Sequence, residues 1–430
     1  MIFIGFLFIF LTSCKRTNSD VEIPAPKKSG YAAEPLHLDK DIYYDKVLGA
    51  LVGSAIGDAM GASTEMWHRR DIQLKYGYIS GLTPAIREQS PEGTWDHNLL
   101  AGATTDDTRW KYIMVKYLSQ PNQTWNSDNF AKFIVDYYSS LTRTLSDGDQ
   151  IPETDFLDTQ IEKIDWIKEW ARVAMAYEKS PEDYQRAQNR FYGGEMSCAG
   201  QLYTPMFGLV TQKPQDAYTL AYEHSIFDLG YAKDISALVS AMTNIAMRTK
   251  NMDSIINTAT FIDPLGYQDS RLVGRIAYST ADASVKSVLA INDLILVDSL
   301  IAKDSTLYKI PNGFTGSKKD WARQEMVYKL LENNEKSIAF HAGEIWEILI
   351  TSLQFGEGNF EKTMQFIVNY GRDNDTVAAV AGMILGAKDG YSNLPVALRT
   401  QVLTVSKENM GIDLEHSARE LVESTYENIE

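Results

Sequence analysis

Three short acidic stretches, two near the start of the chain and one near its end, hold the residue types that could do chemistry together. The first places Asp58 seven residues before Glu65, the second is Thr104-Thr105-Asp106-Asp107-Thr108, and the third is Gly371-Arg372-Asp373-Asn374-Asp375-Thr376. Taken singly, each has an ordinary explanation. Thr and Asp at a helix start are caps whose carboxylates complement the helix dipole, and a lone Glu65 is a surface carboxylate. Taken together they mean something else. Gathering Glu65, Asp106, Asp107, Asp373 and Asp375 brings five negative charges into one place. Uncompensated, such a cluster protonates or repels itself apart. Two divalent cations would neutralise most of it. The donors are all oxygen, with the Thr105 and Thr376 hydroxyls as neutral additions, and hard ligands of this kind suit Mg²⁺, Mn²⁺ or Ca²⁺ rather than zinc. The six histidines (His37, His68, His97, His224, His341, His416) lie outside the clusters and show no HExxH-like spacing. They read as surface or core residues, with His224 a minor candidate for lining a cleft. Two cysteines, Cys14 and Cys198, are too few for a thiolate metal site.

The elements that must position these carboxylates are helices built from small residues. One spans about Asp41 to Gly61, with Gly49, Gly53, Gly57 and Gly61 at every fourth position. The other spans about Thr376 to Lys388, where Ala378, Gly382, Gly386 and Gly390 repeat the spacing. Each glycine inside a helix costs about 0.5–1 kcal/mol relative to alanine, so a close approach by another backbone must offset the loss. Two such stripes at opposite ends of the chain predict that the two helices pack together in one central core. Elsewhere, apolar residues recur at three- and four-residue spacing near 109–119, 127–142, 160–178, 214–223, 232–249, 283–302, 320–333 and 339–355. Segments 143–158 and 303–318 are polar and carry Gly or Pro, the composition of loops. No run of alternating strands and no repeat of helical-solenoid type is present, so the predicted class is all-α.

Gly53-Ser54-Ala55-Ile56-Gly57-Asp58-Ala59-Met60-Gly61-Ala62-Ser63-Thr64-Glu65 resembles the N-terminal GxxxGDAxGxxxE segment of the ADP-ribosylglycohydrolase family. Thr105-Asp106-Asp107-Thr108 resembles its TDDT motif, and Gly371 to Gly382 resembles its C-terminal GGDTDTIAAIAG segment. A weaker likeness, Met196-Ser197-Cys198-Ala199-Gly200 through Pro205 and Gly208, is to a loop lining the family's substrate cleft. The resemblance implies a compact multi-helix domain over 39–430, with a binuclear metal site in a cleft between helix ends. It implies that Thr105, Asp106, Asp107, Asp373, Asp375 and Thr376 bind two divalent cations, Mg²⁺ or alternatively Mn²⁺. Glu65 and Asp107 are the expected catalytic carboxylates, Asp58 stands behind them, and Arg372, Gly102 and Cys198 are expected to meet the substrate. Arg372 replaces the family's second glycine and Asn374 its intervening threonine. Segments near 143–190 and 264–335 read as additions.

The implied activity is metal-dependent hydrolysis of a glycosidic bond at the anomeric carbon of an ADP-ribosyl or related ribosyl substrate. Two other readings compete: a ligand-binding surface lipoprotein without turnover, drawing on 8 tryptophans and 23 tyrosines, and a metal-dependent phosphoester hydrolase. A net charge of −16 over 430 residues repels phosphate backbones and argues against nucleic acid as a partner. Residues 1–12 are apolar but too short to span a bilayer, and resemble an export signal that ends in the lipobox-like Leu11-Thr12-Ser13-Cys14. Residues 1–14 are thus expected to be a lipoprotein signal with Cys14 lipidated, and 15–38 a proline-bearing tether. The chain is expected to be exported to the bacterial cell envelope, touching membrane through the lipid anchor alone.

Overall fold

The computed structural model describes residues 36–85, 99–122, 124–146, 154–294, 304, 307 and 309–428. The signal with Cys14, and the tether up to residue 35, lie outside the described residues.

Among the described residues, helices dominate, in keeping with the all-α class read from the sequence. In chain order they begin with α1 (Lys40–Gly61), α2 (Arg69–Tyr76), α3 (Asp106–Leu118), α4 (Ser127–Ser146), α5 (Thr154–Lys179) and α6 (Pro181–Phe191). The middle supplies α7 (Phe207–Val210), α8 (Pro214–His224), α9 (Ala232–Ala246), α10 (Met252–Ile256), α11 (Thr258–Phe261) and α12 (Ile276–Asn292). The last part adds α13 (Lys318–Glu332), α14 (Ala342–Gly356), α15 (Phe360–Tyr370), α16 (Asn374–Asp389), α17 (Val396–Glu408) and α18 (Leu414–Thr425). The expected loop at 143–158 is largely taken up by helix, because α4 runs on to Ser146 and α5 starts at Thr154.

α1 and α16 form the centre. Every residue of α1 from Val47 to Gly61, and of α16 from Asn374 to Lys388, is buried, the signature of a helix enclosed on all sides. The pair is antiparallel and joined along the two small-residue stripes: Gly49 faces Gly386, Gly53 faces Gly382, Gly57 faces Ala378 and Gly61 faces Asp375. A Cβ on any of these four α1 glycines would land on backbone of the partner helix. Around the pair, α3, α17 and α18 pack on α1, while α9, α14 and α15 pack on α16.

The antiparallel arrangement has a direct consequence for the carboxylates. It brings the C-terminal end of α1 beside the N-terminal end of α16, so the turn carrying Glu65 meets the turn carrying Asp373. A minimal antiparallel ribbon locks the two turns together. Strand β1 (Trp67–His68) pairs with β2 (Gly371–Arg372), Trp67 opposite Arg372 and His68 opposite Gly371. Met66 and Arg372, which flank the carboxylates, both adopt left-handed backbone (φ 63°). They are tied by the Met66 N–H donating to the Arg372 carbonyl at 2.7 Å. Non-glycine residues in that region are uncommon and concentrate where structure over-determines a functional turn.

Behind the site, α3 is pinned by aromatic rings. Trp110, fully buried, makes ring contacts with Trp166 and Trp170 of α5 and with Tyr203 and Phe227. The large buried side chains include Trp346, Tyr117, Tyr218 and Tyr328. These aromatics serve the core and are not surface platforms for a ligand.

Candidate functional site

Asp58 organises the start of α3 from the neighbouring helix. Its Oδ1 accepts the Thr105 backbone N–H at 2.8 Å and the Thr105 hydroxyl at 3.0 Å. Its Oδ2 accepts the Thr108 N–H at 3.0 Å and the Thr108 hydroxyl at 2.6 Å. The Thr105 side chain does not cap its own helix. Asp58 supplies that cap in trans, satisfying two of the first N–H groups that every helix leaves without partners. Burial raises the Asp58 carboxyl above its usual range, Asp107 adds to the rise, and the hydrogen bonds from Thr108 and Thr105 oppose it.

The carboxylates from the chain's two ends do meet. Glu65, Asp373 and Asp375 each offer an oxygen within 4.8 Å of the others. Glu65 is partly exposed, whereas Asp373 and Asp375 are buried. Asp375 joins this group to α3, since the Thr105 hydroxyl also lies 3.2 Å from its Oδ2. Asp107 joins from the other side, accepting the Thr376 hydroxyl at 3.1 Å. Asp106 stands beside it in the first turn of α3, partly exposed. Both α3 and α16 aim their N-terminal, partially positive ends at this place, where anionic groups are favoured.

The charge there is only partly compensated by the protein. Lys111 donates to Asp107 Oδ1 at 3.1 Å, and both side chains are almost fully enclosed. Among the described residues no Lys or Arg forms an ion pair with Asp375. Burial raises its carboxyl well above the usual range, and Glu65, Asp373, Asp107 and Asp58 push it further. Its Oδ1 is buried without a hydrogen-bond partner. The hydroxyls of Ser63, Thr104 and Ser197 and the Asn374 Oδ1, within two residues of site residues in sequence, are buried in the same condition. Such groups are rare in folded proteins and call for a missing partner. A set of close oxygen donors, carrying several carboxylates and one orphaned buried oxygen, fits a hard divalent cation.

The remaining residues singled out in the sequence are placed as follows. Cys198 is buried with its Sγ 3.6 Å from Asp373 Oδ2, and burial, then Asp373, raises its thiol well above the usual range. The loop carrying it is anchored to the start of α14 by Cys198 N–H to Phe340 O (2.9 Å) and Ala342 N–H to Met196 O (2.8 Å). Arg372 commits its guanidinium fork to Glu344, with Nε 2.6 Å and Nη2 3.0 Å from the two carboxylate oxygens. Gly102 (φ 98°) shapes the turn before Thr105 and faces Gln401 and Val405 of α17. His224 does not line the acidic site. It is enclosed between Tyr117 OH (3.0 Å) and the Leu220 carbonyl (2.7 Å), and burial lowers its pKa to about 4.

Three participants were not singled out in the sequence. Lys111 follows Asp107 by four residues, a readable helical ion-pair spacing. Glu344 holds Arg372. Asp228 is buried under the Cys198 loop, accepting the Gly200 N–H at 2.7 Å and the Ser236 hydroxyl at 2.6 Å, and burial raises its carboxyl to about 6. Neither acid had a local sequence signal.

Known proteins resemble this chain in sequence and in fold. The chain is 28% identical over 93 residues to the uncharacterized protein YegU of Escherichia coli (strain K12). That match covers 22% of this chain and 27% of the relative, so it spans about a quarter of the relative's length. A solved structure described as an ADP-ribosylglycohydrolase-related protein complex superposes with a TM-score of 0.50 at 17% identity. It covers 90% of this chain and 99% of its own, a likeness of fold. The family model for ADP-ribosylglycohydrolase matches residues 39–429, nearly the whole chain beyond the N-terminal segment, and the chain belongs to the ADP-ribosylglycohydrolase family.

Proposed function

We propose that the chain hydrolyses a glycosidic bond at the anomeric carbon of an ADP-ribosyl or related ribosyl group, with two divalent cations, Mg²⁺ in the first instance. The observation that carries this reading is the convergence of Glu65, Asp373 and Asp375 within 4.8 Å, with the buried Asp375 Oδ1 left without a partner. Thr105, Asp106, Asp107, Asp373, Asp375 and Thr376 would hold the cations. Bound there, the cations would neutralise the carboxylates, help fix the ribose hydroxyls and diphosphate, and lower the pKa of a water.

The chain's own residues supply the rest. Asp58 fixes the start of α3, and with it the direction of Asp106 and Asp107. Glu65 is the better placed general base, because it is partly exposed to an incoming water while Asp107 is almost fully enclosed. The Arg372–Glu344 pair holds the strained residue before Asp373 in place. Asp106→Ala and Asp375→Ala should each abolish Mg²⁺-dependent release of ADP-ribose from ADP-ribosylated peptides. Normal turnover in either variant, or in EDTA, contradicts the proposal.

We further propose that the mature chain is held at the cell envelope through Cys14. Three acyl chains, each contributing about 0.8 kcal/mol per buried CH₂, exceed what stable anchoring needs. Cys14→Ala should move the protein from the membrane fraction to the soluble one with its activity intact. Retention in the membrane fraction would mean that residues 1–12 act as an uncleaved anchor.

A further inference from the structure

A cavity of about 560 Å³ opens where the end of α12, the segment before α13, and the α14–α15 turn come together. None of the residues of the acidic centre lines it. Its volume lies in the range of small-molecule sites.

The walls combine aromatic rings with cations. Tyr78, Phe314 and Phe355 supply the rings, and Tyr78 and Phe314 meet edge to face at 4.9 Å. Arg323 and Lys362 supply the cations. Two acids also reach the cavity, and both are already engaged. Asp320 Oδ2 accepts the Ser317 N–H at 2.9 Å and the Ser317 hydroxyl at 2.6 Å, closing the capping box of α13. Glu357 lies 3.7 Å from Lys362, whose ammonium also sits 5.1 Å from the centre of the Phe355 ring. Arg323 is different. Its guanidinium makes no hydrogen bond or ion pair with any described residue, and its Nε is buried without an acceptor. Asp320 is near enough to feel its charge, since Arg323 is among the groups that hold the Asp320 carboxyl below its usual range. That carboxylate is committed to Ser317, however, and no acceptor meets the buried Nε. The fork geometry of guanidinium matches carboxylate and phosphate.

We propose that this cavity is a second ligand site, taking a small molecule in which an oxyanion is joined to a planar ring. The oxyanion, phosphate or carboxylate, sits on Arg323, and the ring lies among Tyr78, Phe314 and Phe355. The site is independent of the hydrolysis proposed at the acidic centre.

The test is calorimetric titration of the full-length protein in EDTA, which removes cation-dependent binding at the acidic centre. The probes are adenosine monophosphate, benzoate and inorganic phosphate. One of the two ringed probes should bind saturably and about tenfold or more tighter than phosphate, and the tighter of the two tells phosphate from carboxylate. Arg323→Gln should weaken that probe by about tenfold or more, and Arg323→Lys should recover part of the loss. Phe314→Ala should weaken the ringed probe while leaving the weak phosphate heat unchanged. Absence of saturable binding by both ringed probes overturns the proposal, as does equal binding by wild type and a folded Arg323→Gln. Phosphate binding as tightly as the ringed probes overturns the role of the rings.

Discussion

Gly49→Ala tests the argument that two small-residue stripes hold the molecule together. Gly49 lies on α1, about 18 Å along the helix from Gly61 and so remote from the carboxylates. A Cβ there would sit 2.5 Å from the Gly386 carbonyl oxygen, 2.5 Å from the Tyr391 nitrogen and 2.7 Å from the Gly390 carbonyl carbon. All three are backbone atoms, so no side chain can rotate out of the way. Restoring ordinary contact requires the two helices to separate by roughly 0.9 Å, in a core packed as densely as an organic crystal. Overpacking of this kind costs about 1–3 kcal/mol, and the alanine returns about 0.5–1 kcal/mol of helix propensity. The expected net loss is centred on about 1 kcal/mol and reaches at most about 2.5 kcal/mol, read as a lower urea midpoint by far-UV circular dichroism. Gly81→Ala is the control: no atom lies within 4 Å of its would-be Cβ, and its stability should stay within about 0.5 kcal/mol of wild type. Turnover by the folded fraction of Gly49→Ala should be unaffected. Gly57→Ala, beside Asp58, should lose stability and activity together. A Gly49→Ala protein as stable as wild type would refute the reasoning and reduce the stripe to a bias of composition.

The His224 contribution to stability should fall as pH drops from 6.5 toward 4, because burial lowers His224 from 6.5 to about 4 and the unfolded chain binds its proton first, while the raised carboxyl of Asp228 works in the opposite sense. The linked loss is up to about 3 kcal/mol, and His224→Gln should flatten this part of a pH series of urea midpoints. Asp58→Asn keeps the shape but turns one acceptor into a donor facing the Thr108 N–H, so about 1–3 kcal/mol should be lost. Calorimetry should show weakened Mg²⁺ binding in the same variant; wild-type affinity would mean that Asp58 does not position the start of α3.

The parts of this molecule legible in the sequence are those with a local cause. The central helix pair was readable because unmodified glycine at four-residue spacing is too costly to be idle. The helices from α3 to α14 with a clear apolar face were readable from periodicity. Eight of the described helices were not singled out. Of these, α2 is eight residues and mostly polar, α7, α10 and α11 are four or five residues long, and α17 fully buries only Val402 and Ser406. By contrast, α6, α15 and α18 do carry an apolar stripe, as Tyr184, Ala187 and Phe191 of α6 show, and escaped all the same. Of the candidate site, the acidic residues could be named but not their division of labour. That Asp58 caps another helix, that Thr105 bridges Asp58 and Asp375, and that Arg372 turns to Glu344 depend on three-dimensional neighbours dozens to hundreds of residues away. The weak expectation for His224 failed because a lone histidine gives no sign of which side of a helix will be enclosed.

The β1–β2 latch ties residue 67 to residue 372, and that span has a meaning for synthesis. During translation the N-terminal part emerges first, carrying α1 with its bare backbone stripe and half of the carboxylates. The helix that covers the stripe and completes the cluster arrives only about three hundred residues later, at Asn374–Asp389. No truncated product that stops before α16 can own the site, whatever else it folds. The molecule withholds its chemistry until these two helices have found each other, so the presence of the site reports that synthesis has passed α16 and that α16 has closed on α1.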